Sequence, residues 1–174
     1  MSHRPDPRQF QTLLREHEGI VFKVAGLYAR HAEDRRDLVQ EISLQAWRSF
    51  ARFDPRKAKF STWLYRVALN VAISQLRKAS GAWQGRLEPL EQHHLETIGA
   101  ELKPEPDERL AALYAFIAQF DALNRALILL YLEDKSYAEI ADILGISETN
   151  VATKIGRIKQ TLRVRMTDAT STGG

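Results

Sequence analysis

Apolar residues recur along this chain at steps of three and four, the spacing that lines one face of an α-helix. In the first half they mark three segments. Arg8 to Arg30 carries Phe10, Leu13, Leu14, Val21, Val24, Ala25 and Tyr28. Asp34 to Phe53 carries Leu38, Ile42, Ala46, Trp47 and Phe50, and Ser61 to Lys78 carries Leu64, Val67, Ala68, Val71 and Leu76. Asp54-Pro55 separates the second from the third. The pattern then stops. Between Ala79 and Pro106 stand Gly81, Gly85, Pro89, Gly99, Pro104 and Pro106, with a run of glutamates from Glu88 to Glu105. So long an aperiodic stretch does not suit a loop inside one compact domain and reads as a flexible linker. Periodicity resumes over Asp107 to Phe120, Asp121 to Glu133, Ser136 to Leu144 and Ser147 to about Met166. No alternating run or hairpin dipeptide marks a strand. The expectation is an all-α protein with a helical domain over residues 1–79, a linker over 80–106, a second helical domain over 107–167 and a disordered small-polar tail over 168–174.

The last two segments form a helix-turn-helix pattern. Ser136 and Glu139 have the spacing of a capping box, Gly145 suits a left-handed helix end, and Ser147 caps the next helix. Ile140, Ala141 and Leu144 face inward from the first helix, and Val151, Ile155, Ile158 and Leu162 from the second. From Thr149 to Thr167 the basic residues Lys154, Arg157, Lys159, Arg163 and Arg165 meet no acid. A cationic second helix suits the major groove and its phosphates. The exposed candidates for base and phosphate contact are Thr149, Asn150, Thr153, Lys154, Arg157 and Lys159. By itself this pattern indicates a DNA reader and no more.

Two further clusters lie in the first half. Asp37, Gln40 and Glu41 stand at i, i+3 and i+4 and share one polar helix face, a surface able to dock on a basic partner. From Arg52 to Lys78 seven basic residues accompany one acid, Asp54, and Phe60, Trp63 and Tyr65 are interleaved. Cations beside aromatic rings suit single-stranded DNA, where rings stack on unpaired bases and cations hold the backbone. Trp63 reads equally well as core.

The stretch Asp37 to Lys78, DLVQEISLQAWRSFARFDPRKAKFSTWLYRVALNVAISQLRK, resembles region 2 of the extracytoplasmic-function group of RNA polymerase sigma factors. The Asp-Leu-Val-Gln-Glu helix, the Ala-Trp, the Phe-Asp loop and the Phe-x-Thr-Trp-Leu-Tyr-Arg-x-Ala-x-Asn run come in the group's order. Ser-Tyr-x-Glu-Ile-Ala before the turn resembles region 4. The resemblance implies a non-catalytic subunit that takes core RNA polymerase to promoter DNA. Asp37, Gln40 and Glu41 would dock on the clamp coiled coil of the largest polymerase subunit. Arg56, Lys57, Lys59, Phe60, Trp63, Arg66 and Asn70 would recognise and melt the −10 element, Phe60 and Asn70 matching positions near a flipped base. The turn's second helix would read the −35 element. An anti-sigma factor or other regulator is the further partner implied, one that clamps the two halves together.

Composition narrows the alternatives. There is no cysteine among the 174 residues, which excludes disulfides, thiolate metal sites and a cysteine nucleophile. His3, His17, His31, His93 and His94 lack zinc-ligand spacing. No glycine-rich phosphate loop or nucleophile constellation is present. No enzyme, cofactor or metal is therefore expected. Nothing resembles a signal peptide or a membrane span, so a cytoplasmic location is expected. A net charge of +3 says little about partners. The competing reading is a stand-alone helix-turn-helix transcription regulator, in which the acidic face and the basic-aromatic loop would have no evident task.

Overall fold

The computed structural model describes residues 5–82 and 108–171. The chain divides into two compact units, one ending at Ala122 and the other beginning at Leu123. All regular structure among the described residues is helical.

In the first unit, α1 (Pro7–Glu16) starts under Asp6, whose carboxylate accepts the Arg8 N–H at 3.0 Å. Pro7 occupies the first turn, where its missing N–H is no loss. The single helix expected from Arg8 to Arg30 is in fact two, because the chain turns at His17 (φ −118°, ψ 15°) before α2 (Glu18–Tyr28). The His17 N–H reaches the carbonyls of Leu13 and Leu14, so the end of α1 is satisfied despite the break. Gly19 lowers the local helix preference. The bend also brings Phe10 to 5.4 Å from the Trp47 ring and 5.1 Å from the Phe50 ring.

α3 (Ala32–Ser49) passes into a 3-10 turn (Phe50–Arg52), and α4 (Phe60–Ala82) follows the loop. α2, α3 and α4 pack on one another. Val24, Ile42, Ala46, Leu64 and Ala68 are wholly buried between them. Because α4 continues to Ala82, residues 80–82 are helical where the linker was expected to open. The remainder of that linker lies outside the described residues. α5 (Glu108–Ile117) completes this unit.

The second unit is formed by α6 (Ala122–Leu132), α7 (Tyr137–Leu144) and α8 (Glu148–Ser171). Leu127, Leu130, Ile140 and Val151 have no exposed surface. Ile140 and Ile143 are the buried pair of α7, whereas Ala141 and Leu144, also expected inside, are half-buried. Two left-handed corners set the turns: Asp134 (φ 59°) ends α6 and Gly145 (φ 69°) ends α7. Asparagine, aspartate and glycine tolerate this region better than other residues. α8 runs through residues 168–171, read from composition as tail. Thr, Asp, Ala and Ser extend a helix already nucleated upstream. Residues 172–174 lie outside the described residues.

The capping box of α7 is half formed. The Ser136 hydroxyl accepts the Glu139 N–H at 3.1 Å. The Glu139 carboxylate, instead of reaching back to the backbone, accepts a hydrogen bond from the Ser136 hydroxyl at 3.3 Å and faces the Lys135 ammonium at 3.9 Å. Ser136→Ala is expected to lower stability by about 1 kcal/mol, measured by urea unfolding followed by circular dichroism.

Candidate nucleic-acid and docking interfaces

The face of α3 opposite its buried stripe carries Asp37 and Gln40, both exposed, with Glu41 half-buried beside them. Glu41 accepts a 3.0 Å hydrogen bond from the Gln45 amide, which fixes its carboxylate along the helix. Leu44 extends the stripe one further turn and is 41% exposed, an apolar residue left open to solvent. Sequence periodicity placed the three polar residues together but passed over Leu44. Its position seven residues after Asp37 was the available signal.

The loop before α4 is built on Asp54. Its carboxylate accepts the Arg56 N–H at 2.9 Å and the Arg56 Nε at 3.3 Å, while its carbonyl accepts from Lys57 and Ala58. The Arg56 backbone hydrogen bond, more than any other influence, holds the Asp54 carboxyl below its ordinary range. The lone acid of the basic stretch thus folds the loop that displays Arg56, Lys57 and Lys59, all exposed. Such aspartate turns are legible in sequence, and this role was missed.

α4 separates the remaining candidates. Phe60 is only 7% exposed. Its ring lies 5.0 Å from His17, 5.6 Å from Phe53 and 5.4 Å from Trp63, inside an aromatic cluster that also holds Phe50. Trp63 is half-buried, one side leaning on Phe53 at 5.2 Å. Arg66 and Asn70 are exposed. The 3.6-residue repeat puts Lys59, Trp63, Arg66, Asn70 and Arg77 on one side of the helix. Leu64, Ala68 and Ala72 line the other side. Phe60 and Asn70 are not neighbours: ten residues of helix span about 15 Å.

On α8, Thr149, Asn150, Thr153 and Arg157 are exposed, and Lys154 and Lys159 are half-buried on opposite flanks of the inward stripe Val151, Ile155 and Ile158. The Thr153 hydroxyl donates to the Thr149 carbonyl at 2.9 Å, leaving its lone pairs and methyl outward. Lys159 Nζ sits 4.7 Å above the Tyr131 ring. Hydrogen bonding to Tyr131 raises its pKa, so it stays cationic. Gln160, seven residues beyond Thr153, is exposed on the same face and was absent from the sequence reading. A side chain at Gly156 would meet open space, so nothing within the chain requires glycine there.

Among the described residues no helix is long and apolar enough to cross a membrane. Residues 13–82 match the family model for sigma-70 region 2, and residues 110–162 that for sigma-70 region 4. The ECF RNA polymerase sigma-E factor of Haemophilus influenzae is 31% identical over 173 residues, covering 89% of this chain and 86% of the relative. The ECF RNA polymerase sigma factor SigE of Mycolicibacterium smegmatis is 30% identical over 159 residues, which cover 87% of this chain and 59% of that longer protein. Among solved structures, CnrH in complex with the cytosolic domain of CnrY is similar with a TM-score of 0.66 at 25% identity, covering 94% of this chain and 90% of that one.

Proposed function

Since this chain belongs to the extracytoplasmic-function group of RNA polymerase sigma factors, we propose how its surfaces divide the work of promoter recognition. As a sigma factor it binds core polymerase and directs initiation at particular promoters. Matches to both halves of the family pattern leave no place for a stand-alone regulator. The protein works without catalysing a reaction of its own, in the cytoplasm where polymerase and DNA are.

The α3 face of Asp37, Gln40 and Glu41 docks on core polymerase. The loop cations Arg56, Lys57 and Lys59 hold DNA phosphates, and the α4 stripe of Trp63, Arg66 and Asn70 meets the −10 element. Phe60 supports this surface from beneath by filling the aromatic cluster. The α8 face reads the −35 element through Thr149, Asn150, Thr153, Lys154, Arg157 and Lys159. Residues 1–79 and 107–167 act as the two functional domains. The single observation that carries this reading is the α4 stripe. A helix whose buried side is a tight apolar core carries cations, one half-exposed tryptophan and an asparagine amide on the other. An anti-sigma factor is the partner that fits the family, and the similar CnrH is held by a cytosolic domain of another protein.

The experiment addresses Asn70, whose amide both donates to and accepts from a base edge. On pre-melted templates with one −10 base varied, the parent protein is expected to discriminate by about tenfold, and Asn70→Ala by much less. Identical base preference in both would remove Asn70 from base reading.

A further inference from the structure

α5 is ten residues long. A helix of that length is marginal in water unless it packs on something. Its place is in the first unit, although the region 4 match begins at residue 110, inside this helix. Ile117 at its end is buried, and further contacts tie the segment to α2 and α3. The Tyr28 hydroxyl, on a side chain only 7% exposed, donates at 2.6 Å to the carbonyl of Ala122, the first residue of α6 and the last of this unit. Tyr114 of α5 lines a cavity of about 580 Å³ together with Phe22, Gly26, Val39 and Gln40. That cavity is a groove between α2 and α3, mainly apolar, with Arg35 and Arg36 also in its lining. Phe22 beside it is 57% exposed, a large ring only partly covered.

Gln40 therefore borders two things at once: the polar α3 face assigned to polymerase docking, and the groove that Tyr114 lines. We propose that α5 is an intramolecular strap on the docking face, with Tyr114 seated in the α2–α3 groove beside Gln40 and Tyr28 pinning the chain at Ala122, so that core polymerase must displace α5 to engage α3 fully. This rests on the docking role given above to Asp37 and Gln40. The strap is short, ten residues with Ile117 buried and Tyr114 half-buried, a small surface for a large partner to displace. A chain whose docking face is open only part of the time binds with an apparent affinity reduced by that fraction.

The test uses the full chain with Tyr114→Ala and, as a variant that keeps its ring in the core, Tyr28→Phe. Amide hydrogen exchange in α5, measured without polymerase, is expected to quicken about tenfold in both, while exchange in α3 and α4 holds. Affinity for core polymerase is expected to rise by about threefold to tenfold. Unchanged α5 exchange in both variants overturns the strap. So does faster exchange with unchanged core affinity, provided Asp37→Ala/Gln40→Ala weakens core binding, because the docking face would then be real and α5 would not cover it. If core affinity ignores the Asp37 and Gln40 substitutions as well, the docking assignment has failed and takes the strap's role with it.

Discussion

Replacing Asp37 and Gln40 together by alanine is expected to weaken binding to core polymerase by thirtyfold or more, with helix content and unfolding midpoint unchanged. Both side chains are exposed on α3, and the residues that hold α3 in place, Leu38, Ile42 and Ala46, are on its other side. Truncation therefore removes nothing from the core, and alanine favours the helix if anything. At the interface the effect is of another size. Removing one partner of a charged hydrogen-bonded pair that becomes desolvated costs on the order of 2–5 kcal/mol, much of it from the group left unpaired opposite. Glu41 is the instructive control. Its carboxylate is already engaged by Gln45 at 3.0 Å, so Glu41→Ala should cost less than either neighbour. Titration of labelled core enzyme, read by fluorescence anisotropy, checks all three. Equal affinity for the parent and the double variant would show that this acidic face is only solvated surface.

The helices were legible because their burial is one-sided and repeats every three to four residues. Leu64 and Ala68 and then Val151, Ile155 and Ile158 are buried where the period puts them, while Val67, Val71 and Leu76 flank the stripe half-buried. The break at His17 was not legible, since Phe10, Val21, Val24 and Tyr28 keep a common helical phase straight through it. The bend is imposed by what Phe10 packs against, a tertiary fact that no local pattern carries. The burial of Phe60 was not legible for a related reason. An aromatic ring between cations looks the same in sequence whether it faces solvent or a ring cluster, and only the partners Phe50, Phe53 and His17 decide. The exposed polar stripes of α4 and α8 were partly marked by motif and extended by exposure. Arg77 and Gln160 join their stripes through geometry alone. Asp54 shows the converse. Its turn chemistry was present in the sequence, and attention to the surrounding positive charge hid it.

Replacing Arg157 by alanine is expected to lower affinity for the −35 element by about 1–3 kcal/mol and to abolish preference at one base pair. Arg157 is exposed on α8, one position from Gly156 and four beyond Thr153. The lack of a side chain at Gly156 leaves open space on that face, room for a groove wall to approach while the guanidinium reaches inward. Two parallel donors then match the O6 and N7 acceptors of a guanine, a geometry that a lysine does not offer. Lys159 provides the contrast. Its ammonium rests 4.7 Å over the Tyr131 ring at the flank of the helix, a position for a phosphate rather than a base edge. Lys159→Ala should weaken all sequences alike and lower the slope of log affinity against log salt by about one. Arg157→Ala should instead change which sequences are chosen. A binding-site selection on the two variants, with affinities measured over a range of salt, separates these outcomes. If Arg157→Ala retained the parent consensus at every position, its guanidinium would be gripping the DNA backbone, and base reading would fall to Thr149, Asn150, Thr153 and Gln160.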